Sequence, residues 1–127
     1  MALAHERAVP VVVWEGTCPT VATELTRTGM DGPVLPVPVD GKVIITEITV
    51  INSSAATRAV SIWATTNAGA VDNTTLVHVV DLAAKATYTP YDIRQRRIVL
   101  ESEYELHADC DGADVTLKIY GLLVERQ

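Results

Sequence analysis

The sequence predicts an all-β protein, a single antiparallel β-sandwich of about eight strands, jelly-roll-like, over residues 9–127 behind an N-terminal arm at residues 1–8. Three observations predict it. Lys42 to Asn52 (KVIITEITVIN) alternates with period two on β-branched residues, which is what a half-buried strand requires. The alternation breaks at Asn52-Ser53-Ser54-Ala55 and resumes over Thr57 to Thr65 (TRAVSIWAT), and turn signals recur in this way about every ten residues to the C-terminus. Val, Ile and Thr together make up roughly a third of the chain, a strong β bias.

Taken in order, residues 1–8 read as the arm and Pro10 to Trp14 (PVVVW) as a first strand. Thr17 to Thr20 suggest a turn, and Val21 to Thr28 reads equally as a short strand or an irregular segment. Gly32 to Val39 carries Pro33, Pro36 and Pro38, which cannot donate to a ladder, so it is expected extended and on an edge or between strands. Asp40-Gly41 is a turn that opens the long strand. After Trp63 comes a loop rich in Asn, Gly and Asp at Thr66 to Thr74, then a strand at Thr75 to Leu82. A single helical turn fits Ala83 to Thr87, and Tyr88 to Gln95 is a connection. Arg97 to Leu100 and Glu103 to Cys110 are strands joined at Glu101-Ser102, and Asp111-Gly112 turns into a final strand, Ala113 to Val124.

With no Phe, the core must be aliphatic. The more apolar face of each strand assigns Ile44, Ile48, Val50, Val60, Ile62, Leu106, Leu117 and Ile119 to it. Several strands are also apolar on the other side. Trp63 opposes Val60 and Ile62, while Leu122 and Val124 accompany Leu117, Ile119 and Leu123. Two apolar faces imply a surface covered by another subunit.

A net charge of −6 argues against nucleic acid as a partner, because phosphate binding needs a basic face. No apolar run approaches the roughly 18 residues of a membrane span. The start of the chain, with Glu6 interrupting it, does not read as a signal peptide, so synthesis in a cytoplasm is expected. Cys18 and Cys110 belong to no CxxC or Cys/His cluster; Cys110 is expected to point into the core, and pairing of the two is left open.

Candidate chemistry is sparse. Asp109, Asp111 and Asp114 imitate a calcium loop, but the twelfth position is Tyr120 and the flanks are strands, so an acidic hairpin turn is the better reading. His107 shares a strand face with Glu103, Glu105 and Asp109, the pattern of a solvated sheet face; His78 lies in an apolar strand, and His5 in the arm. No serine occupies a GxSxG elbow. The expectation is a protein that is not an enzyme, with no catalytic residue, cofactor or metal. Arg94, Arg96 and Arg97 form the only basic cluster and, with Trp14, Trp63 and the arm, are the candidate subunit contacts.

The pattern resembles small all-β virion structural proteins of tailed bacteriophages. The stretches that carry it are Val37-Pro38-Val39-Asp40-Gly41-Lys42, Ile48 to Asn52, Ala59 to Trp63, Ile98-Val99-Leu100 and Val115 to Val124, within about the last ninety residues; Ser102-Glu103 stands where such domains commonly carry Gly-Asp. The resemblance implies a β-sandwich present in several copies on a tail, portal or capsid, made in the host cytoplasm, partnered by copies of itself and other virion proteins. It implies no active site, nucleic acid or membrane. The competing expectations are a binding module for carbohydrate or a receptor, with Trp63, Tyr88 and Tyr91 as its aromatics, and a cupin-like enzyme. The latter has only His78 and His107 on strands.

Overall fold

The computed structural model describes residues 6–30, 32–72, 74–90, 93 and 98–126. Among them are eleven strands: β1 (Glu6–Thr17), β2 (Thr23–Leu25), β3 (Arg27–Gly29), β4 (Gly32–Leu35), β5 (Gly41–Asn52), β6 (Arg58–Thr65), β7 (Leu76–Leu82), β8 (Thr87–Tyr88), β9 (Val99–Leu100), β10 (Glu105–Cys110) and β11 (Val115–Arg126). All pairings are antiparallel. A five-stranded sheet runs β1-β11-β5-β8, with β9 also on β5, and a four-stranded sheet runs β2-β10-β6-β7. The strand count exceeds the expected eight because β2, β3, β8 and β9 are only two or three residues long. Runs that short show no period.

The two sheets share one core. Ile48, Val50, Leu117 and Ile119 from the larger sheet and Val60, Ile62, Leu106 and Ala108 from the smaller are fully buried and lie in a single cluster. Seven of the eight expected core residues are therefore inside. The exception is Ile44, which is only half-buried, whereas its neighbours Val43 and Ile45 are 0% and 1% exposed. The register explains the reversal. Tyr120 pairs with Glu47 and Gly121 with Ile45, so Thr46 is an extra residue on β5. Such a bulge shifts the alternation by one and turns Ile44 outward. Thr46 also donates its hydroxyl to the Tyr120 carbonyl at 3.3 Å, giving a partner to a group beside the interrupted ladder.

Three other expectations are corrected. Residues 6–8 are not arm but the start of β1, because pairing continues to the end of β11: Glu6, Arg7 and Ala8 face Arg126, Glu125 and Val124. Residues 1–5 lie outside the described residues. Glu103 does not share the β10 face; it sits in the preceding turn at a φ of 65°, and the strand begins at Glu105. No helical turn forms at Ala83 to Thr87, where Ala86 donates to the Ala83 carbonyl in a tight turn and β8 follows. The Pro-rich segment is extended as expected; its strand β4 pairs with β3, and Val34, Leu35 and Val37 are buried.

The break after the long strand is a polar hub. The Asn52 side chain is buried, and its amide nitrogen reaches the carbonyls of Ala56, Leu82 and Ala83 at 2.8–3.1 Å. Its oxygen accepts from the Ser54 N–H and hydroxyl at 3.0 and 2.7 Å. One side chain thus holds the end of β5, the following turn and the end of β7.

Candidate functional site

The outer face of the larger sheet, the side turned away from the core, carries the most distinctive surface. Cross-strand pairing places Pro10 opposite Leu122, Leu122 opposite Ile44, and Ile44 opposite Val99. Paired residues of an antiparallel sheet share a face, so these four form an apolar row across four strands. The adjoining row brings Val12 beside Tyr120.

Two bulges shape this row. Val13 is the extra residue on β1, where Val12 faces Tyr120 and Trp14 faces Ile119. Thr46 is the extra residue on β5, at the Tyr120–Gly121 step. Both neighbours of β11 therefore bulge against the same short stretch, and bulges bend the strand that carries them. The result is a hollow of about 790 Å³ lined by Pro10, Val12, Ile44, Val99, Tyr120 and Leu122. Its surroundings are charged: Lys118 and Glu15 approach to 3.8 Å on the same face, and Glu47 is exposed. An apolar patch within a polar rim is the usual make-up of an interaction surface.

The proposed contact residues are dispersed. Trp14 packs against this chain's own core, its indole lying over Gly16. Trp63 is half-buried on the outer face of the smaller sheet, opposite His107 on β10 and Leu76 on β7. Arg94, Arg96 and Arg97 lie outside the described residues. The structure thus places Trp14 on the larger sheet against the core and Trp63 on the outer face of the smaller sheet. Of the row that it does assemble, Pro10–Leu122–Ile44–Val99, only Leu122 stood out in the sequence as apolar on a second strand face. The row's signal was present as three consecutive apolar residues at Val43–Ile45 and again at Leu122–Val124, on strands that pair.

The polar candidates engage one another. Glu105, buried, meets His107 Nε2 through Oε1 at 3.1 Å and accepts the Ala68 N–H through Oε2 at 3.2 Å. Asp111 accepts the Ala59 N–H at 3.0 Å, which makes it a turn residue of the 111–114 connection. Partial burial, and secondarily the charge of Asp111, raise the Asp109 carboxyl above its ordinary value. His78 is buried in β7. Among the described residues no three His, Cys, Asp or Glu side chains converge to hold a metal ion.

No protein-family model matches the chain, and no curated protein matches it in sequence. Among solved structures the fold is similar to a chain in "Structure of infectious bursal disease virus Gx strain", with a TM-score of 0.39 and 10% sequence identity. The match covers 95% of this chain and 32% of that one, so this chain spans about a third of its length. At that score the likeness carries no weight for function.

Proposed function

We propose that this chain is a non-enzymatic structural subunit of a virion, of the tailed-phage kind, present in several copies on the tail or capsid. The observation that carries the reading is the apolar row Pro10–Leu122–Ile44–Val99 on the outer sheet face. The outer face of an antiparallel sheet is ordinarily polar; an apolar one is suited to contact with another protein. Support also comes from where the phage-like stretches fall. Val37 to Lys42 leads into β5, Ile98 to Leu100 lies alongside its first half, and Val115 to Val124 is most of β11 on its other side. With Ile48 to Asn52 in the second half of β5, four of the five stretches thus converge on the sheet that bears the row.

The test is mass in solution by size exclusion with light scattering, over a hundredfold range of concentration, for the wild type and for Leu122→Lys. Multiples of the monomer mass that collapse to one in the variant are expected. A wild type that stays monomeric throughout, and is absent from any particle preparation, would overturn the reading. A hollow of about 790 Å³ also lies in the size range of small-ligand sites, which keeps a binding module as the second reading. A glycan array probed with the purified protein distinguishes it.

A further inference from the structure

Cys18 and Cys110 stand 92 residues apart in the chain and are both free and buried, at 2% exposure each. The fold makes them neighbours. Cys18 follows β1 and donates its N–H to the Val115 carbonyl of β11 at 2.8 Å, which anchors it to the larger sheet. Cys110 ends β10 of the smaller sheet and donates its N–H to the Pro19 carbonyl at 2.8 Å. That hydrogen bond sets Cys110 beside Pro19, the residue next to Cys18, at about the 5 Å spacing of adjacent strands, the scale of separation on which disulfides form. The Cys110 sulfur also lies 3.6 Å from the Cys18 carbonyl oxygen and 3.4 Å from that of Pro19, so it is directed at the Cys18 segment.

We propose that Cys18 and Cys110 are a disulfide-forming pair that ties one sheet of the sandwich to the other. A small-molecule disulfide is the oxidant. One protein thiolate attacks a sulfur of the reagent, forming a mixed disulfide and releasing one small thiolate. The second protein thiolate then attacks the protein sulfur of that mixed disulfide, forming the Cys18–Cys110 bond and releasing the other. Two electrons pass from the cysteines to the reagent, and the two thiol protons end on the released small thiols. Burial and the neighbouring Cys110 push the Cys18 thiol well above its ordinary value, so reaction within the closed fold is slow. Refolding in the presence of the oxidant opens a fast route.

The inference does not depend on the virion reading. The full-length protein, unfolded and reduced, is refolded in buffer containing oxidised and reduced glutathione. It is then mapped by mass spectrometry of non-reduced peptides, and its free thiols are titrated in denaturant. The expected product has no free thiol, a mass lower by about 2 Da for the two hydrogens lost, a peptide joining Cys18 to Cys110, and a Tm about 10 °C above the reduced form. The same treatment of Cys18→Ala should leave Cys110 without an intramolecular partner. Two thiols that persist after refolding, glutathione adducts in place of the link, or disulfide-linked dimers would each overturn the proposal.

Discussion

Gly121 of β11 lies directly under the carbonyl oxygen of Ile44 on β5, so close that a Cβ at this position would enter the oxygen's van der Waals shell; the Val13 side chain closes the other side at 3.1 Å. The obstacle is backbone on one side and a buried side chain on the other, and neither can swing away. The absence of a side chain at Gly121 is thus what lets two bulged strands close on β11 at one level.

Gly121→Ala is expected to destabilise the fold by about 3 kcal/mol, the upper part of the usual range for overpacking, because the neighbour is rigid. Gly32→Ala is a useful contrast, since nothing lies within 4 Å of a Cβ there and only its φ of 121° opposes the change. Denaturant midpoints of the two variants measure the difference. Equal midpoints for Gly121→Ala and wild type would contradict the packing at the bulges.

The outward turn of Ile44 gives a second prediction. Ile48→Ala and Leu117→Ala remove fully buried side chains and should each cost about 2–5 kcal/mol. Ile44→Ala, on the half-buried outer face, should cost less than about half of that. Its larger effect should fall on association, read by light scattering. A monomer stability loss at Ile44 as large as at Ile48 would mean that the alternation does not shift at Thr46.

Asn52→Ala should cost about 3 kcal/mol, because it removes donors from carbonyls of the Ala56, Leu82 and Ala83 positions and the acceptor for Ser54 in a buried setting. Asn52→Leu, which keeps the branching of the side chain without its polar atoms, should fare no better. Urea unfolding of both measures this, and recovery by leucine would show the site to be a packing position rather than a hydrogen-bonded hub.

Asp109 predicts a pH dependence. Partial burial and then Asp111 raise its folded-state value above that of the unfolded chain. The native state therefore keeps its proton longer, and stability falls as pH rises from the ordinary aspartate range through the raised value. Asp109→Asn should remove that slope, gaining on the wild type at neutral pH and not at acidic pH. The effect is small, since the carboxyl is partly open to screening water. Urea midpoints measured across this range test it; a variant that gains most at the acid end would reverse the sign.

Strands such as β5, β6 and β11 were legible because one buried face imposes period two on eight to twelve residues. Seven core positions followed directly. Ile44 did not, since Val43, Ile44 and Ile45 are all apolar and the sequence alone does not say which of them faces out; the bulge is set by the close approach of Gly121, seventy-five positions after Thr46. The outer row was hidden for the same reason, being defined by pairings among β1, β11, β5 and β9. Asn52 was visible as a turn residue, but its acceptors come from β7 and the segment after it. The neighbourhood of Cys18 and Cys110 likewise exists only once both sheets are closed.

The pairing of β1 with β11 sets the order in which the protein can come into being. Residues Glu6 to Thr17 find their partner in Thr116 to Arg126, which is synthesised about a hundred residues later. Until then β1 has no ladder, and β5 lacks the same neighbour on one side. The larger sheet is thus finished only once β11 has been made, and long-range pairing of that kind is slow. A nascent chain that stops before Val115 would expose the apolar residues of β1 and β5 together, the kind of surface that favours aggregation until its partner strand arrives.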